Sequence, residues 1–329
     1  MWDFSIARSL GLMARTAPYI TFRIIVYFGI ACIYIAATGA GAGIGFGVGQ
    51  FGDEDFLASS TVLGGAVGFG IVAAILYFLR EYILYILKAG HIAVLVELLD
   101  SGTLPNGQGQ IAYGKTVVQE RFVQASVLFG LDQLIKGVIN AITGLLEGIA
   151  SILPIPGLEQ LISFFRAFLK VAVGFVDEVI LAHAIRTRAD NPWSAAEEAL
   201  VLYGQNYKAM LKNAAVIAVI SYGLAFIVFL LMLAPAAGLA YLMPGGWSAG
   251  GIAFAILFAW AVKAALIEPF AICCMMQAFF HVTEGQSPNP EWRAKLASLS
   301  AKFRDIGNKA AHWVPARTVN ATSQPEPTA

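Results

Sequence analysis

The chain has 329 residues, of which 58% are hydrophobic and only 13% charged, with 21 basic against 21 acidic side chains. Mean hydropathy is +0.71, outside the range of soluble globular domains, and a formal net charge of zero gives no electrostatic reason to expect nucleic acid as a partner. The composition predicts an all-α polytopic membrane protein: four transmembrane helices plus amphipathic interfacial helices on the cytoplasmic side.

Residues 1–23 place Trp2, Ile6, Leu10 and Met13 on one helical face and read as an N-terminal interfacial amphipathic helix. A transmembrane hairpin follows over 24–80. Ile24 to Val48 carries no charge, and at 1.5 Å per residue it is longer than the roughly 30 Å hydrocarbon core. Its second half, Gly39 to Gly49, reads GAGAGIGFGVG. On a helix this makes two glycine ridges, Gly39/Gly43/Gly47 and Gly41/Gly45/Gly49, which permit close approach to another helix. Glycine costs about 1 kcal/mol against alanine in a helix, so packing must offset the run. Asp53, Glu54 and Asp55 form an acidic connection to a second span from about Ser60 to Leu79. Gly64 and Gly68 there match the ladder across the hairpin, and the spare ridge admits an oligomer seam.

Residues 81–212 read as a cytoplasmic and interfacial helical region. Leu87, His91 and Leu98 lie on a partly polar helix, and Ser101 to Lys115 is a glycine-rich loop without the spacing of a phosphate-binding loop. Val127 to Leu153 and Leu158 to Arg188 are amphipathic helices joined by a turn at Pro154 to Gly157, a hairpin either interfacial or re-entrant. A further helix starts near Asn191, with Glu197 and Glu198 in its first turn. The second transmembrane hairpin covers 213–282, with spans from about Ala214 to Leu233 and Gly250 to Phe280. A basic amphipathic helix occupies 290–312, its apolar face made by Trp292, Leu296, Leu299, Phe303 and Ile306, and 313–329 reads as a disordered tail.

Three Lys or Arg precede the first span, eleven lie between Arg80 and Lys212, and six follow the fourth span, leaving only Lys263. The positive-inside rule therefore expects a multi-pass protein of the plasma (inner) membrane with both termini cytoplasmic.

Lys263 and Glu268 are the leading site candidates, because an ionisable side chain within a span is costly and marks a path or a partner. Pro269 removes a backbone donor beside them and is expected to kink the helix. His91, His183 and His281 fall near predicted cytoplasmic ends and have no second ligand at i+3 or i+4. Asp177 and Glu178 are adjacent and point apart, and Cys32, Cys273 and Cys274 form no metal or redox motif. With no nucleophile motif, enzyme activity, a metal and a cofactor are not expected.

The run Tyr203, Gly204, Asn206, Tyr207, then Lys212, Asn213 and Ala214, resembles the Y-G-x-N-[FY]-x4-[KR]-N-A stretch of choline transporter-like membrane proteins. Ile267 to Cys274, IEPFAICC, is similar to that family's final-span pattern, with Glu268-Pro269 where an aspartate is usual. The resemblance covers about residues 160–290 and omits the family's longer N-terminal part and external domain. It implies transport of a small solute and adds Tyr203, Asn206 and Tyr207 as pathway candidates. The leading expectation is a small-solute permease or ion channel acting as a homo-oligomer in the lipid bilayer; the alternative is a non-transporting membrane scaffold that organises lipid.

Overall fold

The computed structural model describes residues 2–121, 134–135, 137–138, 175–241 and 248–314, and these form an all-α architecture. Four helices are long and apolar enough to cross a bilayer, as a polytopic membrane protein requires: Ala17–Gly49, Glu54–Tyr77, Tyr207–Tyr241 and Gly251–Val282. The expected 127–188 hairpin lies mostly outside the described residues, as does the tail beyond Val314.

Helix α1 (Ile6–Arg15) is capped by Ser5, whose side chain accepts from the Arg8 amide. Ser9 and Leu12 are its buried positions, and the Ser9 hydroxyl receives a 2.7 Å hydrogen bond from Gln277 Nε2. Trp2 and Leu10 stay exposed, so α1 docks on the protein by one edge and keeps an apolar edge free. Helices α2 (Ala17–Gly49) and α3 (Glu54–Asp100) form the first hairpin. The acidic connection doubles as the α3 start: the Asp53 side chain accepts from the Phe56 amide at 2.8 Å, and Glu54 and Asp55 fill the first turn, where a helix favours negative charge.

One glycine ridge makes this hairpin. A Cβ on Gly41 would overlap the Gly64 carbonyl, one on Gly45 the Ser60 carbonyl, and one on Gly68 the Ala37 carbonyl; Gly49 meets Leu57 and Ser60. Gly43 and Gly47, from the other ridge, have nothing within 4 Å. The close seam is therefore Gly41/Gly45/Gly49 against Ser60/Gly64/Gly68.

Helix α3 does not stop where its apolar span ends. Its 47 residues reach about 70 Å at 1.5 Å per residue, and Ile92 to Val96 are completely buried in a layer of helices outside the spans. Helix α4 (Gln110–Arg121) crosses α3 where Gly114 meets Gly90 backbone to backbone. The stretch read as a loop to Lys115 is thus helical from Gln110 onward, because two facing glycines allow the helices to touch.

Helix α5 (Val176–Arg186) and helix α6 (Pro192–Gln205) continue the layer. Asn191 caps α6 by accepting from the Trp193 and Ser194 amides, which puts Glu197 in the second turn rather than the first; it pairs there with Arg293 at 3.3 Å. Helix α7 (Tyr207–Tyr241) is the third helix long and apolar enough to span, and α8 (Ser248–Val262) packs against it. After a π-helical turn (Lys263–Ile267), α9 (Glu268–Val282) is buried along its length from Pro269 to Phe279 and contributes to both core clusters. A run buried on all sides needs no polar face, which explains why Gln277, bonded to Ser9, is the one strongly polar side chain between Pro269 and Phe279.

The basic C-terminal stretch is two helices, α10 (Pro290–Leu299) and α11 (Ala301–Ala311). Ser300 is extended and its hydroxyl accepts from the Phe303 amide, ending one helix and capping the next. The break lets Leu296, Phe303 and Ile306 all enter the core that includes α6, while Leu299 stays exposed.

The seam predicts opposite outcomes for neighbouring glycines. Gly45→Ala should lower the unfolding midpoint in detergent, with a cost of about 1–3 kcal/mol from overpacking, whereas Gly43→Ala should leave the midpoint unchanged or raise it. Thermal unfolding followed by intrinsic fluorescence reads both.

Candidate functional site

The site begins with a proline. In the π turn the Glu268 amide donates to the Lys263 carbonyl, five residues back. The next amide in that register would belong to Pro269 and would serve Ala264, but proline has no N–H. The Ala264 carbonyl is left over, and Arg23 Nη2 donates to it from α2. The expected kink at Pro269 is thus realised as a one-residue bulge whose spare acceptor is taken by another helix.

Arg23 is completely buried, 0% exposed, and its Nη2 also lies 3.4 Å from Glu268 Oε2. Glu268 Oε1 is 3.2 Å from Lys88 Nζ, and Lys88 Nζ is 2.7 Å from Glu178 Oε1. Four charges of alternating sign therefore join α2, α9, α3 and α5. Burial by itself would raise the Glu178 carboxyl and lower the Lys88 ammonium. Their attraction overcomes it, and Glu268 and Asp177 add to the pull on Lys88. Glu178 is held below its ordinary range and Lys88 well above its own, so both stay ionised at neutral pH.

His91, one turn after Lys88 on α3, is 1% exposed and stacks flat on Tyr19, with ring centroids 4.7 Å apart. It is a core residue and not an interfacial one, because α3 carries it past the span into the helical layer. Burial first, and then the charge of Arg23, lowers it well below 6.5, leaving a neutral ring. Tyr19 donates its hydroxyl to the Leu87 carbonyl at 3.0 Å, and the Arg23 guanidinium sits 5.4 Å from the Tyr27 ring.

Of the candidates read from the sequence, Glu268 belongs to this network. Lys263 is apart from it, with Nζ 6.0 Å from the ring of Tyr222 on α7. Tyr203 is buried in the core, Asn206 Nδ2 donates to the Leu202 carbonyl at 2.9 Å and to Gln286 Oε1 at 2.8 Å, and Tyr207 packs on Trp292 at 5.9 Å. Asn206 and Tyr207 meet the chain after α9, Tyr203 stays in the core, and none of the three pairs with Glu268. Arg23, Lys88, His91 and Glu178 escape a sequence reading. Arg23 looks like a flanking charge, and Glu178 looks like half of a diverging pair. The one available signal is the spacing of Lys88 and His91, a charge and a histidine one turn apart in an otherwise apolar run.

A second polar feature is a cleft of about 570 Å³ whose lining includes Arg8, Asp100, His183, Arg186, Gln277 and His281. Arg186 closes one wall through a two-pronged pair with Asp100, 3.0 Å in each contact, and lies 4.2 Å from the Phe280 ring. Burial, then Arg186, pushes His183 down to about 4.

Lys88→Met should destabilise the protein by about 3–5 kcal/mol, because it leaves Glu178 buried beside Asp177 without its cation. Lys263→Met, which breaks no ion pair among the described residues, should change stability by no more than about 0.5 kcal/mol or increase it. Acid should act in a defined window. His91 and His183 have folded values below 6.5, so the unfolded chain binds protons first and stability falls as pH drops below 6.5. Glu178, lowered from 4.5, adds a further loss below about that pH, while the Lys88 contribution persists up to its unfolded value of 10.5. Melting scans should therefore show a plateau above neutrality and a decline between pH 6.5 and 4, shallower in His183→Gln. Comparison of the chain with models of protein families, with curated proteins and with solved structures returns no match.

Proposed function

We propose that the protein is a small-solute permease or ion channel that works as a homo-oligomer, with the Arg23–Glu268–Lys88–Glu178 network as its inner gate. The observation that carries the reading is the network itself. Ionisable groups withdrawn from water at the ends of membrane spans are expensive, and proteins keep them chiefly where a path or its gate requires them. A stability role alone is a weaker explanation, since a buried ion network is often no better than well-packed apolar side chains. The network has a further property: Glu268 touches two cations, Arg23 and Lys88, so a helix shift can favour one pair over the other.

The distribution of basic residues supports an inner-membrane orientation with both termini and the helical layer on the cytoplasmic side. The likeness of Tyr203 to Ala214 and of Ile267 to Cys274 to choline transporter-like proteins favours a small amine or quaternary ammonium as the solute. An apolar groove of about 660 Å³ along the α2–α3 hairpin, lined in part by Gly41, Gly45, Gly64 and Gly68, suits a further helix and supports assembly of copies. A non-transporting scaffold is the second reading, favoured by one observation: exposed Trp2 and Leu10 beside Arg8 and Arg15 make α1 a lipid-binding edge.

Purified protein in liposomes should pass ions or small amines. Glu268→Gln releases Arg23 and Lys88 together and should raise the leak, by about tenfold for each 1.4 kcal/mol of closed-state stabilisation lost. Wild-type protein that conducts no ion and no small amine overturns transport in favour of the scaffold.

A further inference from the structure

The network pairs its charges but leaves polar atoms stranded inside the protein. Arg23 Nε and Nη1, both ring nitrogens of His91 and Glu178 Oε2 are buried without a hydrogen-bond partner. Arg23 and His91 lie together, since the charge of Arg23 bears on the His91 ring, and Glu178 lies farther along the same run of contacts. Tyr19 and Arg23 are one turn apart on α2, and Lys88 and His91 are one turn apart on α3. Tyr19 stacks on His91, while Arg23 reaches Lys88 through Glu268. Glu178 enters from α5 on the far side of Lys88.

Each stranded group is destabilising, and a charged guanidinium most of all. Five of them would offset much of the net stability of a typical domain. A dry interior is therefore the wrong description. Water removes the cost when it finds two to four polar partners, and the chemistry here is complementary. Arg23 offers donors, and the neutral His91 ring one donor and one acceptor. Lys88 and Glu268, 20% and 22% exposed, form the accessible edge, whereas Arg23, at 0%, lies at the deep end.

We propose that Arg23 and His91 border a buried water site, entered past Lys88 and Glu268, and that this site is the hydrated vestibule through which the solute passes. The vestibule role rests on the transport reading above; the water site does not. The charged groups at the site and along its entrance are Arg23 from α2, Lys88 from α3, Asp177 and Glu178 from α5, and Glu268 from α9.

Hydroxyl-radical footprinting of the full chain in lipid nanodiscs tests the site, because radicals formed from bound water modify neighbouring side chains even when these are buried. His91 and Tyr19 should be modified several-fold faster than Phe279 and Phe303, which are equally buried in apolar core. His91→Phe preserves the stack and removes both ring nitrogens. Around a water site it should slow modification of Tyr19 and bring no gain in melting temperature; in a dry site it would abolish two stranded atoms and raise the melting temperature. Protection of His91 and Tyr19 equal to that of Phe279, or a stabilised His91→Phe, overturns the water site. Flux measured on the same preparation separates the two readings. A hydrated site without flux removes the vestibule role and the transport reading together, and flux with a dry site removes the water site and the vestibule while leaving transport standing.

Discussion

The arrangement of the helices depends on one guanidinium. Arg23 reaches from α2 to the Ala264 carbonyl and the Glu268 carboxylate, and it does so with no exposure to solvent. The carbonyl is free because a π turn runs into Pro269, and the carboxylate is placed by the same turn at the first position of α9. An acceptor without a donor and a guanidinium shut off from bulk solvent are each unfavourable, and each partly relieves the other. Their union sets the height of α2 against α9. From Glu268 the constraint passes to Lys88 on α3 and on to Glu178 on α5.

This chain of charges lies where two kinds of packing meet. On one side the hairpins are thin and apolar, and the α2–α3 seam is made by bare backbone at Gly41, Gly45, Gly64 and Gly68. On the other side is a layer of short helices with a conventional core, reached by α3 extending beyond its apolar span and packed against by α9. Helix α9 belongs to both. Its nearly uniform apolar character comes from burial by protein on all sides, in contrast to α7, which exposes Val219, Phe226 and Leu231. Shifts at the charged level can therefore reach both the apolar hairpins and the layer.

How far the site could be read in advance varies residue by residue. Glu268 stands out because a carboxylate followed by proline in an apolar run is rare enough to notice, yet the lysine five positions before it contacts a tyrosine ring and the carboxylate finds Arg23 and Lys88 instead. Arg23 resembles any charge flanking a span; its burial follows from the bulge on a helix 241 positions away. His91 reads as interfacial only if α3 stops at the membrane, and α3 does not stop. The glycine ladder displays two equivalent ridges, and only the register of the hairpin distinguishes Gly45, which touches Ser60, from Gly43, which touches nothing. Ser300 is likewise silent in a basic amphipathic pattern that runs straight through it.

Hydropathy, glycine spacing and the helix start at Asn191 are local properties, and they alone determined that the chain is all-α, that four helices are long and apolar enough to span, and where α6 begins. The ion partners were decided by the tertiary structure. Arg23 and Glu268 are 245 residues apart, Lys88 and Glu268 are 180 apart, and Lys88 and Glu178 are 90 apart. No period of 3.6 residues carries information over such distances. Which charge meets which is set by how helices of fixed length pack, and by the one carbonyl that Pro269 leaves without its amide.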